Sequence, residues 1–271
     1  MALEIALASD IHANSHLADS LCALIALVID HVEDGEVPVL LDKLRSAPTL
    51  EYFANEVLAK LAPEHRDEIL GFLLARAAAG GEIRAISYDE FNVDLLGGAT
   101  GEELLALLRR VRDAMLDPSP RLRYEAPGLY WRLATNQDAA LAVLLEWLTT
   151  SEESRIDAAV ELIGAMPWQV ALAHPQFVQE TLDAAHARGA ESLAKVARSL
   201  LSVTVVTGNQ SRTMGQPPER HIKLRDEGRK HAEAFAPGTP AREFYEAVVT
   251  RAEVHLREAE LEDEEFPELP I

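Results

Sequence analysis

Along most of the chain, apolar positions recur at spacings of three and four. Leu17, Leu21, Leu24, Ile25, Val28 and Val32 make one such stripe, and Leu50, Phe53, Ala54, Val57, Leu58 and Leu61 the next. The pattern returns at Leu104, Leu107, Leu108, Val111 and Met115, then at Leu141, Leu144, Leu145 and Leu148. It recurs at Ile156, Ala159, Val160 and Ile163, and again at Leu193, Val196, Ala197, Leu200 and Leu201. A helix returns to the same face after three or four residues, so each stripe predicts the buried side of an amphipathic helix. No stretch sustains the two-residue alternation of a half-buried strand with turn signals at hairpin spacing. An all-α fold is expected.

The punctuation between stripes agrees. Thr100 with Glu103, and Thr150 with Glu153, have capping-box spacing. Ser119-Pro120, His174-Pro175 and Thr239-Pro240 place proline at the first helical residue, where its missing N–H costs nothing. Gly35 and Gly80-Gly81 mark expected helix ends. Two segments break the pattern. Residues 80–100 have glycine at both ends and no stripe, which predicts an irregular insertion. Residues 207–218 are rich in Gly, Pro and polar residues and read as a linker. Beyond it two helices are expected, about 219–236 and 239–264. The second carries Phe244, Tyr245, Val248, Val249, Ala252 and Leu256 on one face and must pack on something. The predicted organisation is a body over 1–206, the linker, a C-terminal helix pair over 219–264 acting as a cap, and an acidic tail over 265–271.

Residues 117–134 and 137–149 form one predicted helix pair, 152–166 and 174–187 a second, and 190–203 begins a third. Aligning Leu122, Ile156 and Leu193 gives spacings of 34 and 37 residues, near those of stacked helix-pair repeats. Asp117-Pro118 leading into Leu122-Arg123 and Ala126 resembles the HEAT repeat, whose first helix often follows a D-P turn and carries an apolar-Arg pair. The second unit keeps Ile156 and Ala159 but has Asp157 in place of the arginine, and the third has Ala194. The resemblance covers about 90 residues by the repeat length. It implies a short right-handed α-solenoid of antiparallel helix pairs, the alternative being an irregular helical bundle. In a solenoid the second helices line a concave face. Here those helices would be 101–116, 137–149 and 174–187, presenting Arg109, Arg112, Glu146, Trp147, Gln179 and Asp183. Trp147 is the expected anchor, because tryptophan and arginine dominate interface energetics.

Composition narrows the partner. Of the 271 residues 48% are apolar and only 6% aromatic, chiefly Ala, Leu and Val, which suits helices over sheets. The formal charge is −20, from 45 acidic and 25 basic residues. Such a field repels phosphate backbones, so nucleic acid is not an expected partner; it suits solubility or a basic protein partner. Acidic surfaces of this kind are ordinary for bacterial-type cytosolic proteins. Arg109, Arg110 and Arg112, with Arg121, Arg123 and Arg132, are locally cationic, but Glu102, Glu103, Asp113, Asp117 and Glu125 nearly cancel them. Cys22, the single cysteine, lies in an apolar run and reads as a core residue. The N-terminus carries Glu4 and Asp10 without Lys or Arg, and the run Leu21 to Ile29 is too short to span a bilayer. No membrane association and a cytoplasmic location are expected.

Candidate chemistry is sparse. Residues 8–14, Ala-Ser-Asp-Ile-His-Ala-Asn, resemble the opening motif of calcineurin-like metallophosphoesterases, which would make Asp10 and His12 metal ligands. The family's later GD, GNHD/E and GHTH segments do not follow, so the match reads as coincidental. His12 and His16 share a helical face without a third ligand. His221, Asp226, Glu227 and His231, interleaved with Lys223, Arg225, Arg229 and Lys230, read as a salt-bridged exposed helix. The sequence shows no nucleophile elbow, P-loop or dinucleotide fingerprint. No enzyme activity, metal or cofactor is expected. The expected function is a protein-interaction scaffold or adaptor, the alternative being an acidic inhibitor or immunity-type protein that neutralises a basic partner.

Overall fold

The computed structural model describes residues 15–45, 52–79, 99–134, 136–204 and 219–265, without the side chains of 15–19, 52, 55 and 260–265. Among the described residues there are twelve α-helices and no strand. The chain divides into two compact units, Met1–Val143 and Leu144–Ile271.

The first unit contains α1 (Ser15–Val28), α2 (Val37–Arg45), α3 (Tyr52–Ala79), α4 (Gly101–Asp113), α5 (Pro120–Leu133) and the start of α6 (Gln137–Leu148). Short 3-10 turns follow α1 and α4, at Ile29–His31 and Ala114–Leu116. Helix α3 is the organiser, packing against α1, α2, α4 and α5. The inward stripes are those the periodicity picks out: Ala54, Val57, Leu58 and Leu61 on α3, and Leu104, Leu107, Leu108 and Val111 on α4, all buried. In α1 the inward residues are Leu21, Cys22, Ile25 and Ala26. Leu24 shares their spacing but flanks Leu21 on the side away from Cys22 and Ala26, and it is turned outward.

Pro63 interrupts α3. It has no N–H for the helical ladder and its ring crowds the preceding turn. The backbone gives way at His65, with φ −124° and ψ 35°, so α3 is two segments joined at a kink.

The second unit holds the end of α6, α7 (Glu153–Gly164), α8 (Trp168–Ala173), α9 (Pro175–Arg188), α10 (Ala190–Thr204), α11 (Glu219–Ala234) and α12 (Pro240–Glu265). Helix α10 packs on both α7 and α9. Helices α11 and α12 pack on each other, and α12 also reaches α9 and α10; its buried face carries Phe244, Tyr245, Val248, Ala252 and Leu256. The C-terminal pair therefore shares a compact unit with α7 to α10, and the division falls inside α6. The expected linker at 207–218, most of the 80–100 insertion and the tail beyond Glu265 lie outside the described residues.

Helix starts follow the proline rule more than the capping box. Ser119 accepts from the Leu122 amide at 3.3 Å, with Pro120 as first helical residue. Thr239 accepts from the Arg242 amide at 3.4 Å before Pro240. Neither predicted capping box forms. Thr100 makes no side-chain cap, and Glu103 instead binds Arg66 at 2.9 Å. At the other, Glu152 takes the N-cap position and Thr150 accepts from its amide at 3.4 Å.

Helix ends are secured across the fold. The last four carbonyls of any helix lack an internal donor. Here several are met by long side chains of a neighbouring helix. Lys60 donates to Ala26 O near the end of α1, at 3.1 Å. Arg76 donates to Leu44 O and Arg45 O, closing α2 at 2.9 and 3.0 Å. In the second unit Tyr245 and His231 reach Ala171 O and Leu172 O of the six-residue α8, at 3.0 and 2.9 Å. Arg220 and Arg251 do the same for Val203 O and Leu201 O of α10. Arg76 is only 2% exposed, and burial pulls its guanidinium down to about 10. Two carbonyl acceptors at the negative end of a helix are the environment that makes such burial tolerable.

Candidate functional site

Of the six residues expected on a binding face, two are buried. Arg109 and Arg112 lie on α4 in the first unit, and the other four lie in the second. Trp147 is 2% exposed and belongs to the core, so it cannot serve as a surface anchor. On α6 it lies one helical turn from Val143 and next to Leu148, both buried, which is the inward face. Arg112 is likewise buried, donating to Val143 O at 2.9 Å and pairing with Asp113 at 2.9 Å. It is a structural cross-link. Arg109 is half-exposed and lies 3.6 Å from Glu102. Glu146 and Asp183 are exposed and Gln179 half-buried. Arg110, of the same local arginine cluster, is also engaged, binding Asp67 at 2.7 Å.

What the surface offers instead is apolar. Leu24 is 56% and Leu27 80% exposed, one helical step of three apart on the outer side of α1. Their opposite side, Leu21, Cys22, Ile25 and Ala26, is core. A helix that is apolar on both sides ordinarily has both covered. Leaving a leucine in water forgoes about 1.5–3 kcal/mol of burial. The sequence carries a signal for this second side. Leu27 is two residues beyond Ile25 and six beyond Leu21, spacings that place it off their stripe. Among the described residues of this unit, the other large apolar side chains that are exposed are Val39 on α2, Leu116, and Tyr124 on α5.

Polar chemistry gathers at the α3 kink. Asp34, Glu64 and His65 each present one ligand atom, all within 4.8 Å of one another. Such a mixed N/O set could hold a divalent cation. The imidazole, however, lies 3.6 Å from Asp34 and 4.0 Å from Glu68, so its contacts with these carboxylates account for the same geometry without an ion. Asp34 is almost fully exposed and imposes no dry cage. Beside the kink a cleft of about 270 Å³ opens between α3 and α4. Its walls carry Glu64, Asp67, Glu68 and Glu103 against Arg66. Arg66 pairs with Glu103 and Arg110 with Asp67, so the four carboxylates are partly neutralised, and the remaining excess of negative charge suits a cationic side chain over an anion. Four of the five charged residues on its walls fall together at 64–68 in the sequence, just after Pro63; only Glu103, from α4, is brought in by the fold.

Asp10 and His12 lie outside the described residues, as does the side chain of His16. The polar run 221–231 is only partly the exposed, salt-bridged helix expected. Lys223 pairs with Glu219 at 2.7 Å, Arg225 with Asp226, Lys230 with Glu227 and Arg229 with Glu253. His221, by contrast, is buried and His231 half-buried against α8. No described helix is long and apolar enough to cross a membrane. No protein family, curated protein or solved structure matches the chain.

Proposed function

We propose that this chain is a non-enzymatic protein-interaction scaffold or adaptor, working in the cytoplasm and built on a short HEAT-like stack of helix pairs. One observation carries the reading: Leu24 and Leu27 stand in solvent on a helix whose other side is already core. Apolar side chains held on a rigid element are what a partner's apolar residues bury against, and central apolar anchors dominate interface energetics. The repeat architecture is supported by α10 lying against α7, as first helices of successive units do when they stack.

The acidic cleft at the α3 kink, together with a net charge of −20, favours one variant of this reading: an inhibitor or immunity-type protein whose partner is basic. Affinity purification of the full chain from its host at low and at high salt separates the two. A stoichiometric protein recovered at both salts is expected of an apolar scaffold. Loss at high salt would assign the partner to the acidic surface instead, since screening weakens exposed ion pairs. Recovery of no stoichiometric partner at either salt contradicts the proposal.

A further inference from the structure

His221 lies on the inward face of α11 and is 5% exposed. Neither ring nitrogen has a hydrogen-bond partner, a rare condition for a buried polar group. Its ring stacks on His255 of α12, with centroids 4.9 Å apart and planes 23° from parallel. Behind His255 stands Glu258, whose carboxylate lies 3.0 Å from His255 Nδ1. On its own helix His221 adjoins Arg220, whose guanidinium sits 5.2 Å from the Trp168 ring. Helix α8, which also packs on α11, reads WQVALA and brings no ionisable side chain. His221 thus faces a fixed cation, a second imidazole and one carboxylate beyond that.

We propose that His221 makes the α11–α12 hairpin a proton-sensitive latch, closed while the imidazole is neutral and released when acid protonates it. A proton added here would place a buried imidazolium beside Arg220 and against His255, with no acceptor for either N–H. Burial first, then His255 and Arg220, hold the ring's proton affinity below that of a free imidazole, with Glu258 pulling weakly the other way. The sign follows from linkage. The opened hairpin takes up a proton below the ordinary imidazole value of about 6.5, whereas the closed one resists it. Closure is therefore fully favoured above that pH and weakens as pH falls through it. One proton coupled to opening raises the opening constant by up to about tenfold per pH unit. Release would expose the faces that α11 and α12 bury in each other, including Leu224, Ala232, Val248 and Ala252. An interaction protein with such a latch would display a second apolar surface only in acid.

Hydrogen exchange of the full chain at about pH 7.5 and about pH 5.5, spanning the imidazole range and corrected for intrinsic rates, tests this. Amides of α11 and α12 are expected to lose protection in acid while those of α3 keep theirs. His221→Phe, which keeps an aromatic ring without a titrating group, is expected to abolish the loss. A His221→Phe protein with the unmodified pH dependence would overturn the proposal. Should that variant not fold, an NMR titration of His221 in the unmodified chain decides: the ring must take up its proton together with hairpin opening. An ordinary midpoint with the hairpin amides still protected would equally overturn it.

Discussion

The phenol of Tyr245 shows how much one atom does in this fold. Its Oη donates to Ala171 O, at the end of a helix only six residues long, while its ring packs against Phe235, Phe244 and His231. Losing a buried hydrogen bond of this kind costs about 1 kcal/mol. Burial also pushes the phenol well above its ordinary value, so the folded chain holds a proton that the unfolded chain gives up near about pH 10. The resulting stability is complete below about pH 10 and falls as pH rises beyond it. Urea unfolding should therefore show Tyr245→Phe less stable at neutral pH yet less sensitive to alkali. Equal alkaline slopes for the two proteins would contradict this. Such roles are not legible in the sequence. The apolar stripe marks Tyr245 as inward, but which carbonyl its hydroxyl meets depends on α8, 74 residues earlier. The same holds for Trp147 and Arg112. Residue type suggests an interface, whereas their positions on α6 and α4 turn them into the core.

Helices are legible because their signal is local. The stripes on α4, α7 and α12 need nothing beyond the three-to-four spacing, and the Ser119-Pro120 start of α5 requires only the chemistry of one dipeptide. How helix ends are closed is another matter, because Lys60, Arg76, Arg220 and Arg251 act across separate elements. Close approach is equally hidden from a linear reading. Gly228 faces α12 so tightly that an added Cβ would meet Val249 Cγ2 at 3.0 Å, with Tyr245 O and Val248 Cγ1 at 3.6 Å. Replacing a helical glycine by alanine ordinarily gains about 1 kcal/mol. At Gly228 the contact should offset that gain, and Gly228→Leu should destabilise by about 2 kcal/mol through overpacking. Chemical denaturation measures both. A leucine variant as stable as the unmodified chain would mean that α11 and α12 do not meet as described.

At the scale of the molecule, charge and apolar exposure point in different directions. A net charge of −20 makes copies of the chain repel one another, and composition alone announces it. Leu24 and Leu27 favour association instead, and they are the feature from which the proposed function is argued. In the linear chain both lie in one apolar run with Leu21, Cys22, Ile25 and Ala26; spacing sets Leu27 off that stripe, whereas Leu24 shares it and is separated only by the direction in which α1 faces its neighbours. The most direct measurement is the dissociation constant of the recovered partner for the unmodified chain and for the double variant Leu24→Glu, Leu27→Glu, with helicity and unfolding midpoint checked in both. Neither side chain belongs to the core, so the variant should fold normally and bind at least about tenfold more weakly, the loss of a modest hot spot. A normally folded variant with undiminished affinity would contradict the account.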